Sequence, residues 1–407
     1  MTFNDWKEVS LNEVILFNPR ESLKKGTIAK KIGMDKLSEF QRKITGYEYS
    51  EFKSGTKFRN GDTLLARITP CLENGKTAQV DILDQDEVAF GSTEFIVMRE
   101  IPEKSYNDFI YYLSISDKLR NIAIKSMTGT SGRQRAQKDV IEKTKISIPL
   151  LNEQKSIANI LSTLDDKKET NNKINEKLEE MAQALFKHWF VDFEFPNENG
   201  EPYKSSGGEM IESELGMIPK DWKVTKLDEL IDLFDSKRIP LSKNERDKRE
   251  KIYPYYGASS LMDYVDDYIF DGIYVLLGED GTVVDDLGYP ILQYVWGKFW
   301  VNNHAHVIKG KDDYSDEFVY MVLKNTKVSS AVTGAVQLKI NQKNLKSLLV
   351  IIPENTDLIK QFSSVMDYQF SIIRNNSNEN KALTSIRDTL LPKLMSGEIR
   401  VPLDNEF

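Results

Sequence analysis

The sequence predicts an α+β protein: two tandem α/β modules separated by two long helices that pair as an antiparallel coiled coil, with a pseudo-two-fold internal repeat. Three observations predict it. Two segments 216 residues apart begin alike, Asp5-Trp6-Lys7-Glu8-Val9-Ser10-Leu11 and Asp221-Trp222-Lys223-Val224-Thr225-Lys226-Leu227. Downstream, Thr128-Gly129 answers Thr333-Gly334, Gln137-Lys138-Asp139-Val140 answers Gln342-Lys343-Asn344-Leu345, and Ile148-Pro149 answers Ile352-Pro353. After each Ile-Pro the apolar residues change from short β-rich runs to a sustained three-four rhythm.

The first module spans 1–150. Its runs Asp62–Arg67 and Glu94–Met98 read as strands and Asn107–Ser116 as a helix, an interleaving that suits an α+β module. In the helical segment 151–193, Asn152 is the expected N-cap, Glu153 sits in the first turn, and Ile157, Leu161, Leu164, Leu178, Ala182 and Leu185 form one stripe. That predicts a helix over Glu153–His188, about 54 Å long at roughly 1.5 Å per residue. Residues 194–218 are rich in Pro, Gly, Ser and acid and read as a linker. The second module, 219–354, has strand-like runs at Ile273–Leu277 and Lys346–Ile352 and a helix at Asp316–Lys324. In 355–407 a second helix and a tail follow: Leu358, Phe362, Val365, Ile372, Leu383, Ile386 and Leu390 predict a helix over Asp357–Leu391. Pro392 should end or kink it, with Gly397 as C-cap.

Each helix needs a partner for its apolar stripe, and the other repeat's helix is the economical one. Asn171 and Asn376 lie near the two midpoints. Either they face each other and fix register, or both face solvent. The contacts expected along the seam are Ile157, Leu161, Leu164, Asn171, Leu178, Leu185, Phe362, Val365, Asn376, Leu383 and Leu390.

Composition narrows the function. Lys and Arg total 55 against 63 Asp and Glu over 407 residues, a net charge of −8, so any nucleic-acid binding must come from local patches. One cysteine, Cys71, excludes a disulfide framework and a Cys-rich zinc site, fits a reducing setting, and reads as a small residue packed in a strand. With three histidines there is little material for His-based catalysis or a metal site; His304 and His306 read as strand-lining residues. The N-terminus has no signal-peptide pattern and no apolar run approaches about 20 residues, so a cytoplasmic protein without a membrane span is expected. No Walker A, HExxH, GxSxG or NPPY-like motif occurs, so no catalytic residue, metal or cofactor is assigned to this chain.

Three basic clusters stand out against the acidic whole. Lys118–Lys145 carries eight cations against two acids, centred on Thr128-Gly-Thr-Ser-Gly-Arg133-Gln134-Arg135-Ala-Gln137-Lys138. Lys237-Arg238 with Lys243, Arg246, Lys248, Arg249 and Lys251 adjoins the run Tyr253–Gly257, and Arg20–Lys43 carries eight cations against three acids. Two like modules held apart by helices suit a ligand with two separated sites, and duplex DNA is the expected one. The expected DNA contacts are Arg133, Gln134, Arg135 and Lys138 in the first module and Lys237, Arg238, Lys339 and Lys343 in the second. A scaffold without DNA would need only the helix pair and not these clusters.

The residues also resemble a known family over essentially the whole chain. The twin Asp-Trp-Lys starts, Ile148-Pro149-Leu-Leu-Asn-Glu153-Gln154, Leu185-Phe-Lys-His-Trp189, Pro202-Tyr-Lys-Ser-Ser-Gly-Gly-Glu-Met210 and Leu390-Leu-Pro-Lys-Leu-Met-Ser-Gly397-Glu-Ile399 are similar to the specificity subunits of type I restriction-modification systems. The resemblance implies two target recognition domains, each reading one half of a bipartite asymmetric DNA site. It implies spacer helices that set the gap and dock two methyltransferase subunits, which methylate adenine N6 with S-adenosylmethionine. A motor/nuclease subunit using ATP and Mg²⁺ would restrict unmodified DNA. None of these cofactors would bind this chain, whose role would be recognition without catalysis. The sequence departs from the pattern where the Glu153-Gln154 pair has no counterpart after Ile352-Pro353; if that turn docks a partner, the two docking sites are unequal.

Overall fold

The computed structural model describes residues 6–334 and 337–401; Asp5 of the first repeat motif and the tail 402–407 lie outside the described residues. The first module contains strands β1 (Lys7–Ser10), β2 (Ile15–Phe17), β3 (Ile28–Ile32), β4 (Glu48–Glu51), β5 (Thr56–Phe58), β6 (Thr63–Ala66), β7 (Thr77–Gln79), β8 (Ala89–Gly91) and β9 (Phe95–Glu100). Helices α1 (Asn107–Ile115), α2 (Asp117–Lys125) and α3 (Lys138–Lys143) follow, then β10 (Lys145–Ile148) and the long helix α4 (Leu151–Phe186). The hairpin β11 (Met210–Ser213) and β12 (Gly216–Pro219) leads into β13 (Trp222–Lys226), β14 (Ile231–Leu233), helix α5 (Lys243–Asp247), β15 (Tyr253–Tyr256) and β16 (Leu261–Val265). The long strands β17 (Phe270–Gly278) and β18 (Leu292–Val301) precede β19 (Ala305–Gly310) and α6 (Asp316–Lys324). Last come β20 (Val332–Thr333), β21 (Lys339–Ile340), α7 (Gln342–Lys346), β22 (Leu349–Pro353) and the long helix α8 (Asp357–Ser396).

The repeat is visible as hydrogen bonding. β1 pairs antiparallel with β10, Lys7 opposite Ile148, and β13 pairs the same way with β22, Trp222 opposite Pro353. The start and end motifs of each repeat are therefore partners in one ladder that closes the module just before its long helix. The sheets run β2-β9-β6-β7 and β4-β3-β8-β5 in the first module and β14-β19-β17-β18-β15-β16 in the second. What β17 and β18 do as continuous strands, the first module does with four short ones, β5 with β6 and β7 with β8. In the long pair Gly272 lies opposite Gly297, with φ of +126° and +78° that only glycine adopts cheaply.

The chain forms two compact units that cut across its linear order. One holds the residues up to Asn171 and again from Asn378; the other holds Asn172–Ser377. In the first unit Ile157, Ala158 and Leu161 of α4 and Leu391, Leu394 and Met395 of α8 share a core with Phe109–Leu113 of α1. In the second, Ala182, Phe186 and Phe190 pack with Ile359, Phe362, Met366, Phe370 and Ile373, and with Phe318 of α6. Aromatic edges lock that seam, Phe190 to Phe362 at 5.1 Å and Phe190 to Phe318 at 5.3 Å. Within each unit the two helices run antiparallel, as contacts between 165 and 387 and between 171 and 380 in one, and between 175 and 376 and between 186 and 362 in the other, require.

Several sequence expectations are corrected. α4 starts at Leu151, ahead of the expected cap Asn152, and continues as a π-turn over Lys187–Val191. α8 runs through Pro392 to Ser396, because a proline disturbs only the turn before it and Leu394 and Met395 anchor the last turn in the core. Gly397 follows with φ +77°, the left-handed conformation expected of a helix stop. The stripe of α8 is Ile359-Phe362-Met366-Phe370-Ile373, so Val365, one step round the helix, is 40% exposed, and Ile386 is 47% exposed. Leu164, Leu178, Leu185, Leu383 and Leu390 are half-buried at the seam's margin, whereas Ile157, Leu161 and Phe362 are fully buried. The midpoint asparagines do not take the expected register. Asn171 donates to Glu379 at 2.6 Å and to Asn380 at 3.0 Å, while Asn376 donates to Asn175 at 2.9 Å. The partner of Asn171 thus lies one helical turn beyond Asn376.

Residues 194–218 form a structured segment and not a loose linker. Phe195 stacks between Tyr203 at 4.6 Å and Trp222 at 5.2 Å, and β11 and β12 form a hairpin. Cys71 lies half-buried in a turn, not in a strand.

Candidate nucleic-acid interface

In each module the segment between the helices and the last strand crosses over the ends of the central strands. In the first, Thr128 and Arg135 exchange backbone hydrogen bonds and close a tight hairpin whose turn uses Gly129 and Gly132 at positive φ. The Arg67 amide donates to Glu94, and the Ala136 amide donates back to Arg67. The second module repeats this: the Glu279 amide donates to His304 and the Ile340 amide donates to Glu279. Arg67, Glu94 and Arg135 therefore occupy the places of Glu279, His304 and Lys339.

The same ion pair is built with its acid in a different place, just before β9 in the first module and just after β17 in the second. Arg135 grips both oxygens of Glu94 at 2.8–2.9 Å, whereas Lys339 reaches Glu279 at 3.1 Å. In both, a cation of the crossing segment is tied to the module beneath it.

The two like modules also match one family of known proteins. The type I restriction modification DNA specificity domain matches twice, over residues 4–180 and 219–384. The chain belongs to that family. The type I restriction enzyme HindI specificity subunit of Haemophilus influenzae is 26% identical over 97% of this chain and all of its own length. The MjaIX specificity subunit of Methanocaldococcus jannaschii is 26% identical over 72% of this chain and 69% of that one. The crystal structure of a type I restriction-modification S subunit from M. genitalium has the same fold, with a TM-score of 0.55, 17% identity and 96% of each chain covered.

The specificity-domain modules carry fewer free cations than their sequences suggest. In 20–43, buried Lys30 pairs with Asp84 at 3.0 Å and Glu87 at 2.8 Å, Arg42 with Asp166 at 3.0 Å, Lys43 with Asp81, and Lys31 with Glu48. Arg20, Lys24 and Lys25 remain exposed. In 237–251, Arg246 and Lys251 share Asp263, Arg249 binds Asp266, and the guanidiniums of Arg246 and Arg249 lie over Tyr255 and Trp300. The acids come from far along the chain, so a linear charge count misses them.

Of the expected DNA contacts, Arg133 stands exposed at the hairpin tip without an acid partner among the described residues. Gln134 is half-buried and its carbonyl accepts from the Thr69 amide. Arg135 is committed to Glu94, and Lys138 to Glu142 at 2.7 Å. Lys237 is exposed above the Phe234 ring, and Lys343 is exposed on α7. Arg238 is a scaffold residue: it binds Glu279 at 2.7 Å and the Ala305 carbonyl at 2.6 Å with its side chain only 11% exposed, which removes it from the free phosphate donors. Lys339 is exposed but paired to Glu279.

Of the two histidines read as strand-lining, His306 is one and His304 is not. His304 lies in the turn before β19, with Nδ1 2.7 Å from Asp280, while His306 sits in β19 fully buried against Asp235. Asp235, Glu279 and His306 bring ligand-type atoms within 4.8 Å of one another, but Arg238, Lys339 and Gln342 already satisfy the carboxylates. The cluster is saturated with internal partners, not arranged as a metal cage.

The Glu153-Gln154 pair is likewise internal. Glu153 takes Arg400 at 2.6 and 2.8 Å and the Trp6 indole N–H at 3.2 Å; Gln154 donates to the Lys104 and Pro149 carbonyls. At 3% and 1% exposure both are buried against these internal partners. Sequence reasoning missed Glu94, Asp235 and Glu279 because single acids in a chain with 29% charged residues carry no motif.

Proposed function

We propose that this chain is the DNA-recognition subunit of a type I restriction-modification complex, with each module reading one half of a bipartite asymmetric site. The observation that carries the reading is the duplicated crossing segment: two equivalent segments, each tied to its own module by a cation–carboxylate pair and each exposing cations beside the tie. Arg133 in the first module and Lys237 and Lys343 in the second supply phosphate contacts, and neighbouring Gln, Ser and Thr side chains supply base-edge contacts.

The paired helices set the unspecified gap and carry the docking surfaces for two methyltransferase subunits. Those subunits methylate adenine N6 with S-adenosylmethionine; a motor/nuclease subunit requiring ATP and Mg²⁺ cleaves unmodified DNA. This chain itself performs recognition without catalysis, in the cytoplasm, and holds distorted DNA while a partner flips the base. Among its described residues no helix is long and apolar enough to cross a membrane.

Selection from a random duplex library by the purified complex of this chain with its modification subunits tests the reading. Recovery of two short specified blocks at one fixed spacing is expected. Recovery of a single continuous block, or of none while the complex is intact, contradicts it.

A further inference from the structure

The second module holds its crossing segment by a device the first lacks. His306 is fully buried; its Nε2 is 2.7 Å from the Ile340 carbonyl and its Nδ1 is 2.6 Å from Asp235 Oδ2. A carbonyl only accepts, so Nε2 bears a hydrogen. Asp235 already accepts from the Val307 amide at 2.9 Å and from Gln342 Nε2 at 2.6 Å, with Arg238 at 3.6 Å. Such a carboxylate has no proton to offer Nδ1, so Nδ1 donates as well and the ring is an imidazolium. The other charged groups facing it are Glu279 at 3.9 Å and, through Glu279, Lys339.

Loss of either ring proton breaks one of two bonds. Without the Nε2 proton a lone pair faces the Ile340 carbonyl; without the Nδ1 proton a lone pair faces Asp235. Ile340 and Gln342 lie between Lys339 and Lys343, so the ring fixes the backbone that carries both cations. In the first module the Asn18 amide donates to Val97 as Phe234 does to Val307, which puts Ile96, buried and apolar, at the place of His306. The first crossing segment therefore has no titratable tie of this kind.

We propose that His306 is a positioning residue that, as an imidazolium, sets the placement of Lys339–Lys343, so that the second module's hold on its half of the DNA weakens when that proton is lost while the first module's does not. The proposal rests on the DNA-recognition reading above.

The chain has three histidines, so nitrogen NMR of the full chain labelled at histidine isolates the ring, with H306Q identifying its signals. Both ring nitrogens of His306 should be protonated at neutral pH; a singly protonated ring overturns the proposal. Amide hydrogen exchange at 339–346, corrected for intrinsic rates, is then compared on either side of the pH at which the spectra show the proton leaving. Protection should fall roughly tenfold there, and should be low at every pH in H306Q. Wild-type protection retained in H306Q, or a ring that never titrates, overturns it; should H306Q fail to fold, Q342A removes the neighbouring tie and the wild-type spectra still decide. Binding by the assembled complex to duplexes with one half scrambled completes the test, with H304N as control for the exposed His304–Asp280 pair. The pH effect should appear only when the second module's half is intact and should vanish in H306Q. Because the first two arms use no DNA, a tie that titrates without changing binding overturns the functional half alone, whereas failure of the library selection overturns the DNA reading.

Discussion

Arg387 ties the two long helices of the first unit together. It is 4% exposed, meets Asp165 at 3.0 Å, and reaches the Phe40 carbonyl, while Tyr112 donates to the other oxygen of Asp165 at 2.9 Å. Removing one partner of such a pair leaves a charge buried, so Arg387→Ala should cost about 3–5 kcal/mol in urea unfolding, far more than a surface Arg→Ala change. Asp235 gives a pH-dependent prediction. Burial pushes its carboxyl up, but the His306 hydrogen bond and charge, the Val307 amide and Arg238 outweigh that and hold it below its ordinary value. A depressed carboxyl contributes stability above its unfolded value near 3.8, and that contribution is lost as the pH falls through the folded value. Asp235→Asn should therefore lower stability at neutral pH and flatten the acid limb of a stability-against-pH curve. Neither residue was legible in the sequence, since an Arg or Asp at a core position breaks the apolar pattern and only the fold shows what pairs with it.

At the scale of elements, the two long helices were the most legible feature, because a three-four rhythm sustained over about 35 residues fits neither the period of a strand nor the composition of a loop. Their seam was less so. Val365 and Met366 are both apolar, and which one faces inward depends on the phase of the helix against its neighbour, which spacing alone fixes only to about one residue. Phe362→Ala should cost about 3–5 kcal/mol, whereas Val365→Glu should stay within about 0.5 kcal/mol of wild type by thermal or urea unfolding. The register gives a covalent check: with Cys71 replaced by serine, cysteines at 175 and 376 should oxidise to an intramolecular disulfide, as the 2.9 Å contact between those asparagines implies. Failure to cross-link would contradict the antiparallel register of the second unit. The short strands were legible at Glu94–Met98 and Ile273–Leu277 but not at the breaks between β5 and β6 or β7 and β8, where tertiary pairing and not composition decides the split.

At the scale of the whole molecule, duplication was readable because sequence matches survive at both ends of each module, where β1 meets β10 and β13 meets β22. The free surface charge was not, because many clustered cations are neutralised by acids distant in sequence. That changes which residues should govern salt dependence. Arg133→Ala should lower the slope of log K against log salt by roughly 0.9, one phosphate contact, while Arg135→Ala should act mainly by loosening the Thr128–Arg135 hairpin. An unchanged slope in Arg133→Ala would remove the hairpin tip from the interface. The most direct measurement of the central claim is long-read methylome sequencing of cells carrying this chain with an active modification subunit, compared with cells lacking only this chain. A chain-dependent N6-methyladenine motif of two specified halves around one fixed gap is the predicted result; an unbroken motif, or an unchanged methylome with the modification subunit active, would contradict it.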